Sequence, residues 1–578
     1  MRLALGGEVS SRWHNVVDMV ITRLLMIGLF LGAVFLFAGP SAASPLTDEI
    51  RTALIGIVQD SVDSQIRLSG RLEVNGGALF PVYRQNDFTP FWHHELGLTP
   101  LARQWIDQLR SSSDEGLCSD DYRLPLLEAL HDFEADSLRY GVLFDPHYQA
   151  ILDLLLTDSF FRYAGDLLGD EQPQVDLLRR LLARVLREGS FETVPAALEP
   201  SHAEYRILRE QLHRLQRLAA LGGWEIVPAA ETLRFGDAGV AVDLLKRRLV
   251  LDEDLAPLDA VEDEGFGGKT DAAVRSFQRR HGLRADGVVG LRTFAELNVP
   301  VEQRLRTIEQ NMQRWRSMPA SLGARHIRVN IAGFQLEVHE GDEVVMTMPV
   351  VVGTGYRKTP QFSATMRYLI FAPYWNVPPT ILREDKLPKI KADPGWLVRH
   401  HYEIVPWKKR EQGAALDPYR IDWSRIDARN FPGLLRQRPG RWNPLGRVKF
   451  MLPNRHAVYL HDTDSPHLFA SEQRLFSSGC IRLERPEDLA QYLLVENGDW
   501  TCDRLFDALE RSSEYRVDLP EPLPVHIVYW TAWVDSAGKM QWRPDIYQRD
   551  TDLEVSWRQR FEQLRYRQTA EDEVKTDP

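Results

Sequence analysis

The spacing of hydrophobic positions changes along the chain, and the first long section has helical spacing. From about residue 45 to 225, apolar residues recur every three or four positions, as in YQAILDLLLTDSFFRYAGDLL and VDLLRRLLARVLREG. This pattern predicts a helical scaffold domain over 45–225. Two adjacent histidines, His93 and His94, would face different ways on either a helix or a strand, so we interpret them as surface or capping residues.

A compact unit follows over 226–300. Its stretches GVAVDLLKRRL, GKTDAAVRSFQRR and GLRTFAEL carry apolar helical faces and are separated by Gly-containing turns and an acidic loop, 251–264. This arrangement predicts a small three-helix module. The positions expected to form its core are Val242, Leu245, Leu249, Ala273, Val274 and Phe277.

The next segment, 301–320, predicts a linker helix. Four of its apolar residues share one face and should dock on a neighbouring surface. They are Leu305, Ile308, Met312 and Trp315.

From His326 onward the alternation has a period of two, as in HIRVNIAGFQLEVHEGDEVVMTMPVVV, and it predicts a mainly β domain over 325–550. A segment rich in Trp, Pro and basic residues, 377–445, interrupts the strands and predicts an inserted lid subdomain. The whole chain is thus predicted to be a multidomain α+β protein with a charged tail, 551–578. The lid's polar candidates could face an acidic ligand or form a solvated surface; they are Asn376, Arg383, Lys386, Lys389 and Lys391.

The N-terminal segment, 1–44, indicates export. Arg12 and Arg23 precede the apolar run LLMIGLFLGAVFLFA and a group of small residues, which is typical of a secretory signal peptide. The apolar run of about fifteen residues is shorter than the roughly twenty needed to span a bilayer. Because the n-region is long, however, an uncleaved N-terminal membrane anchor is the alternative. The net charge of −12 argues against a nucleic-acid partner, which would require a basic surface.

The chain has three cysteines. Cys118 and Cys502 fall in different predicted domains, which favours two buried free thiols over a disulfide. No CxxC pair is present, so the sequence does not support a structural zinc site.

The strongest chemical signal is the stretch YLHDTDSPHLFASEQRLFSSGCIRL, which runs from Tyr459 to Leu483. His461 and Cys480 each adjoin a short apolar run, which is consistent with positions at strand ends. A base near a thiol activates it as a nucleophile, and the small residues before Cys480 leave backbone N–H groups available for an oxyanion. Arg482 would point to the same side as Cys480 on a strand and suits a carboxylate.

This stretch resembles the signature of the L,D-transpeptidase family, whose catalytic domain is of the YkuD type. The resemblance rests on His461-Asp462-Thr463 and on Ser477-Ser478-Gly479-Cys480-Ile481-Arg482, and it is closest to the large periplasmic members. The glycine that commonly follows the histidine in this family is Asp462 here. Many members have a histidine where this chain has Ser478. The module GFGGKTDAAVRSFQ…GLRADGVVGLRTFAEL resembles a peptidoglycan-binding domain.

The resemblance implies a role for each site residue. Cys480 would be the nucleophile and His461 the general base and acid, with the Asp462 backbone carbonyl orienting the imidazole and Gly479 contributing to the oxyanion hole. It further implies a periplasmic enzyme that forms 3→3 peptidoglycan cross-links, shapes the cell wall, needs no cofactor or metal, and is acylated by carbapenems. Its partners would be stem peptides, glycan strands and other wall-synthesis enzymes. The residues expected to contact substrate are Tyr459, Ser478, Arg482 and Trp375.

The sequence leaves several alternatives open. The same site could hydrolyse the stem peptide as an L,D-carboxypeptidase, or join it to a lysine of an outer-membrane lipoprotein. The chain could instead be a wall-binding protein without catalysis. A metal peptidase using His461 and Asp464 is the weakest alternative, because the sequence offers no third ligand nearby.

Overall fold

A computed structural model describes residues 46–59, 66–67, 73–94, 97–140, 145–169, 175–191, 193–229, 231–407, 414–495 and 498–553. The predicted signal or anchor segment and most of the charged tail lie outside these residues. No helix within the described ranges is long and apolar enough to cross a membrane. Contacts divide the chain into two compact units, and each is described separately.

The first unit comprises Met1–Trp224, Pro300–Ala320 and Asp550–Pro578, and its described part is predominantly helical. Two short strand pairs accompany the helices, β1 (Ile66–Arg67) with β2 (Glu73–Val74) and β3 (His93–His94) with β4 (Gly97–Leu98). The helices are α1 (Leu46–Gln59), α2 (Gly76–Gln85), α3 (Pro100–Arg110), α4 (Leu124–Arg139), α5 (Pro146–Leu168), α6 (Val175–Glu188), α7 (Thr193–Leu198) and α8 (Ala203–Ala220).

The predicted linker helix is α13 (Val301–Arg316), and it belongs to this first unit. All four apolar positions expected to dock are buried. The helix packs along α8, and the Trp315 ring lies 4.9 Å from the ring of His202 between centroids. The segment is therefore part of the helical packing rather than an isolated connector.

The interpretation of His93 as a surface or capping residue is wrong. The side chain is buried, with Nδ1 3.0 Å from the Asp153 carboxylate and Nε2 3.8 Å from the Glu134 carboxylate. Burial alone would lower the imidazole pKa, but the two carboxylates outweigh it and raise the pKa to about 9. A charged imidazole thus links helices α4 and α5 inside the scaffold.

The raised pKa predicts a stability that depends on pH. The contribution of His93 to the free energy of unfolding should be fully present below about pH 6.5, the unfolded value, and be lost as pH rises through about 9. The shift corresponds to on the order of 3 kcal/mol. Urea unfolding followed by tryptophan fluorescence should show this decline between pH 6.5 and 10.

His93→Gln should flatten that pH dependence, because the amide keeps hydrogen-bonding capacity without a charge. His94→Gln is the matched control, since His94 is exposed on the same strand. An unchanged profile in His93→Gln would show that the imidazole is not charged in the folded protein.

The second unit comprises Glu225–Val299 and Ser321–Arg549. It begins with the small module, whose helices are α9 (Val240–Leu251), α10 (Pro257–Glu262), α11 (Gly268–Arg280) and α12 (Leu291–Leu297). All six predicted core positions are buried in one cluster. The acidic loop contains an unexpected fourth helix, α10, whose Asp259 and Glu262 each lie 2.7 Å from the Lys269 ammonium.

The rest of this unit is built on one large sheet. Its strand order is β14-β7-β15-β13-β12-β8-β16-β5-β6, and β7 also pairs with β6, so eight strands close into a barrel with β14 added. The strands are β5 (Arg325–Asn330), β6 (Gln335–Glu340), β7 (Glu343–Gly353), β8 (Phe362–Phe371), β12 (Val448–Met451), β13 (Leu460–His461), β14 (Leu475–Ser477), β15 (Ile481–Leu483) and β16 (Tyr515–Val528).

Alternate residues of these strands fill the barrel with a continuous apolar core, which two helices extend. These helices are α17 (Pro486–Leu494) and α18 (Cys502–Leu509). A hairpin, β17 (Ala532–Val534) with β18 (Met540–Trp542), contacts the module, where Arg280 donates a 2.8 Å hydrogen bond to the Met540 carbonyl.

The predicted lid segment has a core of its own. It contains a three-stranded sheet, β9 (Trp375–Asn376), β10 (Tyr402–Pro406) and β11 (Gly433–Gln437), and the short helices α14 (Pro379–Ile381), α15 (Leu387–Ala392) and α16 (Gly395–Arg399). The architecture as a whole confirms the predicted multidomain α+β fold.

Cys118 and Cys502 are free, but both are exposed rather than buried.

Candidate active site

The register of two neighbouring strands brings the candidate catalytic residues to one face of the barrel. Strands β13 and β15 run parallel, with Leu460 opposite Ile481 and His461 opposite Arg482. Leu460 and Ile481 are fully buried in the barrel core. Because side chains alternate between faces, the residues on either side of them point away from that core. These are His461, Cys480 and Arg482, together with Tyr459, which also packs against the barrel core and the lid core.

His461 is held in one tautomer. Its Nδ1 lies 2.5 Å from the backbone carbonyl of Asp462, so Nδ1–H donates and Nε2 carries the lone pair. Burial lowers the pKa of the imidazole to about 3, with further lowering from Arg482 and Lys449. The ring is therefore neutral over the physiological range, which is the form a general base requires.

The side chain of Asp462 fixes the loop that presents this carbonyl. Its carboxylate accepts hydrogen bonds of 2.7 Å from the backbone N–H groups of Arg447 and Thr463. Gly446 has a φ of 60°, and a Cβ there would overlap the Asp462 carboxyl group. The aspartate that replaces the usual family glycine is therefore a structural member of the site.

The sulfur of Cys480 is a neutral thiol at rest. Burial raises its pKa, while hydrogen bonds from the Tyr459 backbone and hydroxyl and the nearby cations act in the opposite direction. The thiol donates a long hydrogen bond, 3.9 Å, to the Ala457 carbonyl.

The thiol and the imidazole are not directly hydrogen-bonded. Among the residues that the structure describes, the sulfur's partners are Tyr459 and Ala457 rather than His461. The Tyr459 and His461 rings are 5.7 Å apart between centroids, so the tyrosine contacts both groups. The general-base role of His461 stays a prediction.

These protonation states predict a specific pH profile for alkylation of Cys480 by iodoacetamide. Because the thiolate is the reactive form and its pKa is raised, the rate should climb about tenfold per pH unit through neutrality, without a plateau. The Cys118→Ala/Cys502→Ala background isolates the Cys480 reaction, which mass spectrometry follows. A rate independent of pH between 5 and 8 would instead reveal a thiolate–imidazolium pair.

The oxyanion geometry differs in part from the prediction. Gly479 has a φ of 114°, which favours glycine. Its N–H, however, donates to the Ser477 hydroxyl at 3.0 Å. Its carbonyl accepts a 2.9 Å hydrogen bond from the Thr359 hydroxyl. In this structure the Gly479 N–H is therefore engaged, and the Cys480 N–H is the better-placed donor for an oxyanion.

Arg482 lies beside the sulfur with unused hydrogen-bonding capacity. Its Nη1 donates a 3.3 Å hydrogen bond to the Thr463 hydroxyl, and its buried Nε has no partner among the described residues. A buried donor without an acceptor costs free energy, so a substrate carboxylate would complete this arrangement. The unpaired Nε therefore supports the predicted contact of Arg482 with substrate.

Arg357 joins the lid to the loop before Cys480. Its Nη1 donates 3.1 Å hydrogen bonds to the Ser478 hydroxyl and to the carboxylate of Asp385, and its Nη2 donates to Glu384 at 2.5 Å. Ser478 is exposed at the edge of the site, where a substrate can reach it. The sequence did not single out Arg357, because its partners lie 27 to 121 positions away.

Other lid residues are occupied internally. Trp375 is buried in the lid core, and its ring lies 5.2 Å from the Lys386 ammonium, which also contacts the rings of Trp396 and Tyr402. Arg383 pairs with Glu384 at 2.7 Å. The substrate contact predicted for Trp375 finds no support in these contacts. Because the Lys389 ammonium also lies 5.8 Å from the Trp396 ring, three of the four basic candidates contact their own subdomain.

Lys449 is a site residue that sequence reasoning missed. It lies opposite His461 in the β12–β13 pairing, and Val448 and Phe450 beside it are buried in the barrel core. Burial lowers the pKa of its ammonium, and Glu514 and Cys480 partly offset this lowering. A single charged residue between two core positions of a strand is the signal that could have revealed it.

No group of three or more His, Cys, Asp or Glu side chains is placed to hold a metal ion within the described ranges. The arrangement instead offers a thiol, a neutral imidazole that is hydrogen-bonded to the Asp462 and Pro444 backbone, and two cations on one face. This set is suited to acyl transfer from a carboxylate-bearing substrate.

Comparisons with known proteins agree with this class of chemistry. Residues 324–502 match the family described as "L,D-transpeptidase catalytic domain". Residues 77–212 match "Scaffold domain", and residues 239–297 match "Putative peptidoglycan binding domain". The chain therefore contains a YkuD-type L,D-transpeptidase catalytic domain together with a peptidoglycan-binding domain.

One curated relative from Haemophilus influenzae, named "Putative L,D-transpeptidase", is 36% identical over 253 residues. The match covers 43% of this chain and about half the length of that relative. Two solved structures are also similar to this chain: an L,D-transpeptidase from Xylanimonas cellulosilytica and a fused Zn-dependent amidase/peptidase/peptidoglycan-binding protein from Clostridium acetobutylicum. They share 16% and 15% identity, and each covers 52% of this chain and 99% of its own. Both TM-scores are 0.15, too low to support a structural argument.

Proposed function

We propose that this protein is a peptidoglycan L,D-transpeptidase that forms 3→3 cross-links between stem peptides through a thioacyl intermediate on Cys480. The observation that carries the proposal is the shared face of β13 and β15, where a thiol, an imidazole with a fixed tautomer and an incompletely paired arginine lie together. The matched catalytic domain supplies the class of reaction.

The first step forms the thioacyl-enzyme. The sulfur of Cys480 attacks the diaminopimelate carbonyl of a tetrapeptide donor while Nε2 of His461 accepts the thiol proton, with the Tyr459 hydroxyl hydrogen-bonded to the sulfur. The Cys480 N–H stabilises the resulting oxyanion. The intermediate collapses when the C–N bond breaks, and D-alanine leaves with the proton from His461.

The second step transfers the acyl group. The side-chain amine of an acceptor stem attacks the thioester carbonyl, a C–N bond forms and the C–S bond breaks. His461 takes the proton from the amine and returns it to the sulfur. Arg482 and Lys449 lie on either side of His461 across the sheet and bind substrate carboxylates.

The proposed function also implies a cellular location and a sensitivity to inhibitors. Peptidoglycan lies outside the cytoplasm, so we infer that the protein acts in the periplasm, exported by the N-terminal segment as a signal peptide or anchor. We further infer that carbapenems acylate Cys480, and that the peptidoglycan-binding domain keeps the catalytic domain on glycan strands.

The decisive experiment incubates the purified chain with disaccharide-tetrapeptide and identifies the products by mass spectrometry. The expected products are cross-linked dimers and free D-alanine. Cys480→Ala should abolish both, whereas Cys502→Ala, which removes an exposed thiol, should leave them intact.

Other product patterns would point elsewhere. Shortened tripeptide monomers without dimers would identify an L,D-carboxypeptidase. If a peptide with the lipoprotein lysine is supplied and becomes attached to the stem, the protein is a transpeptidase that joins stem peptides to a lipoprotein. A folded protein that neither reacts nor takes up a carbapenem would be a wall-binding protein, contrary to the proposal.

A further inference from the structure

A groove opens beside the candidate site at the start of strand β8. One wall is the N-terminal half of β8 and the other is the turn that follows β12. The cavity volume is about 570 Å³, which lies in the range of ordinary ligand sites. The side chains that define its chemistry are Phe362, Thr365, Arg367, Asn454, Arg455 and His456.

The groove is cationic. Arg367 and Arg455 are both exposed, and none of the described residues that line the cavity is Asp or Glu. Neither arginine forms an ion pair with any residue that the structure describes. The rings of Phe362 and His456 pack 5.1 Å apart between centroids and give the groove an aromatic part. A ligand that fits combines a carboxylate with an aliphatic segment.

The turn that forms one wall also reaches the nucleophile. The Asn454 side chain holds this turn, since its Nδ2 donates to the Val458 carbonyl at 2.7 Å and its Oδ1 accepts from the His456 N–H at 2.9 Å. The next residue, Ala457, has a φ of 54°. Its carbonyl lies 3.9 Å from the Cys480 sulfur. His456, the last residue of the groove wall, is thus the chain neighbour of the residue whose carbonyl contacts the sulfur.

The other flank of the sulfur belongs to the lid. Ser478 precedes Cys480 by two positions and is hydrogen-bonded to Arg357, which is ion-paired to lid residues Glu384 and Asp385. The nucleophile is therefore connected to the lid through Ser478 and to the cationic groove through Ala457. A reaction with two peptide substrates needs two approaches to the same sulfur.

We propose that the groove binds the acceptor, a second stem peptide whose free carboxylate pairs with Arg367 and Arg455, while the donor lies beneath the lid. This inference rests on the proposed function and assigns a site to its second substrate. The bound acceptor presents its amine to the thioester carbonyl from the Ala457 side. The amine's C–N bond then forms as the C–S bond to Cys480 breaks, and the proton passes through His461 to the sulfur.

The test separates acylation from transfer. Arg367→Glu/Arg455→Glu reverses both groove charges. Lys539→Glu/Arg511→Glu makes the same net change at positions that do not line the groove. The acylation rate is measured with a carbapenem by mass shift. The ratio of cross-linked dimer to hydrolysed tripeptide is measured with disaccharide-tetrapeptide over a range of acceptor concentrations.

In the groove variant, acylation should stay within about twofold of wild type, which also shows that the variant folds. The acceptor concentration giving half the maximal dimer rate should rise tenfold or more, and tripeptide should accumulate. The control variant should behave as wild type. Equal dimer formation in the wild type and the groove variant would overturn the groove assignment alone. Tripeptide without dimer from the wild type would overturn the transpeptidase proposal, and the acceptor site with it.

Discussion

His461→Gln should slow acylation of Cys480 by a carbapenem about 10²- to 10⁴-fold near neutral pH, the usual contribution of a positioned general base. Glutamine retains an N–H that can donate to the Asp462 carbonyl, which now accepts from Nδ1, but it has no basic nitrogen. The thiol, whose pKa burial raises, would then lose its proton only to solvent. Stopped-flow fluorescence or timed mass spectrometry measures the rate.

The pH dependence distinguishes a base from a merely structural residue. As pH rises towards the thiol pKa, hydroxide replaces the base, so the deficit of His461→Gln should shrink. His467→Gln is the matched control, because His467 is exposed on the loop that follows the site. A deficit of equal size at pH 7 and pH 10 would assign His461 a packing role and remove it from catalysis.

The residues that sequence could identify are those whose signal is local. Cys480 and His461 each adjoin a short apolar run, and the β13–β15 pairing places them on one face. The core of the small module could also be predicted from the sequence, because each of its helices has its own apolar face. Short-range periodicity is sufficient for such elements.

The residues that sequence missed depend on long-range register. Lys449 enters the site only because β12 pairs with β13 with Lys449 opposite His461. His93 is buried because carboxylates 41 and 60 positions away, on Glu134 and Asp153, converge on it. A one-residue change in the β12–β13 register would turn Lys449 to the other face of the sheet. For both residues, nothing nearby in sequence fixes the placement.

The engaged N–H of Gly479 shows a third limit. The sequence Ser-Ser-Gly-Cys predicts accessible backbone donors, yet the Ser477 hydroxyl accepts from Gly479 N–H and donates to the Cys480 carbonyl at 2.5 Å. Whether a small polar residue opens a backbone donor or occupies it depends on its rotamer, which composition does not determine. Orientation of the Gly479–Cys480 peptide therefore rests on a residue distant in sequence, Thr359.

Thr359→Val should reduce the acylation rate constant by about 10²- to 10³-fold, the effect expected when an oxyanion donor is misplaced. The Thr359 hydroxyl is fully buried. It accepts from the Gly353 N–H and donates to the Gly479 carbonyl, both at 2.9 Å. That carbonyl and the Cys480 N–H belong to one peptide plane, so its hydrogen bond aims the N–H at the substrate. Valine keeps the shape of threonine but removes both bonds.

Thr359→Ser supplies the matched comparison, because it keeps the hydroxyl and should recover most of the rate. Valine should also lower the free energy of unfolding by about 1–3 kcal/mol for each buried group left unpaired, so rates are compared well below the unfolding transition. The loss should fall on the acylation rate constant. The half-saturating carbapenem concentration should be nearly unchanged, since the groups that contact the donor, Arg482 and the lid, are intact. If valine and serine variants acylate at the same rate, the Thr359 hydroxyl does not position the oxyanion donor.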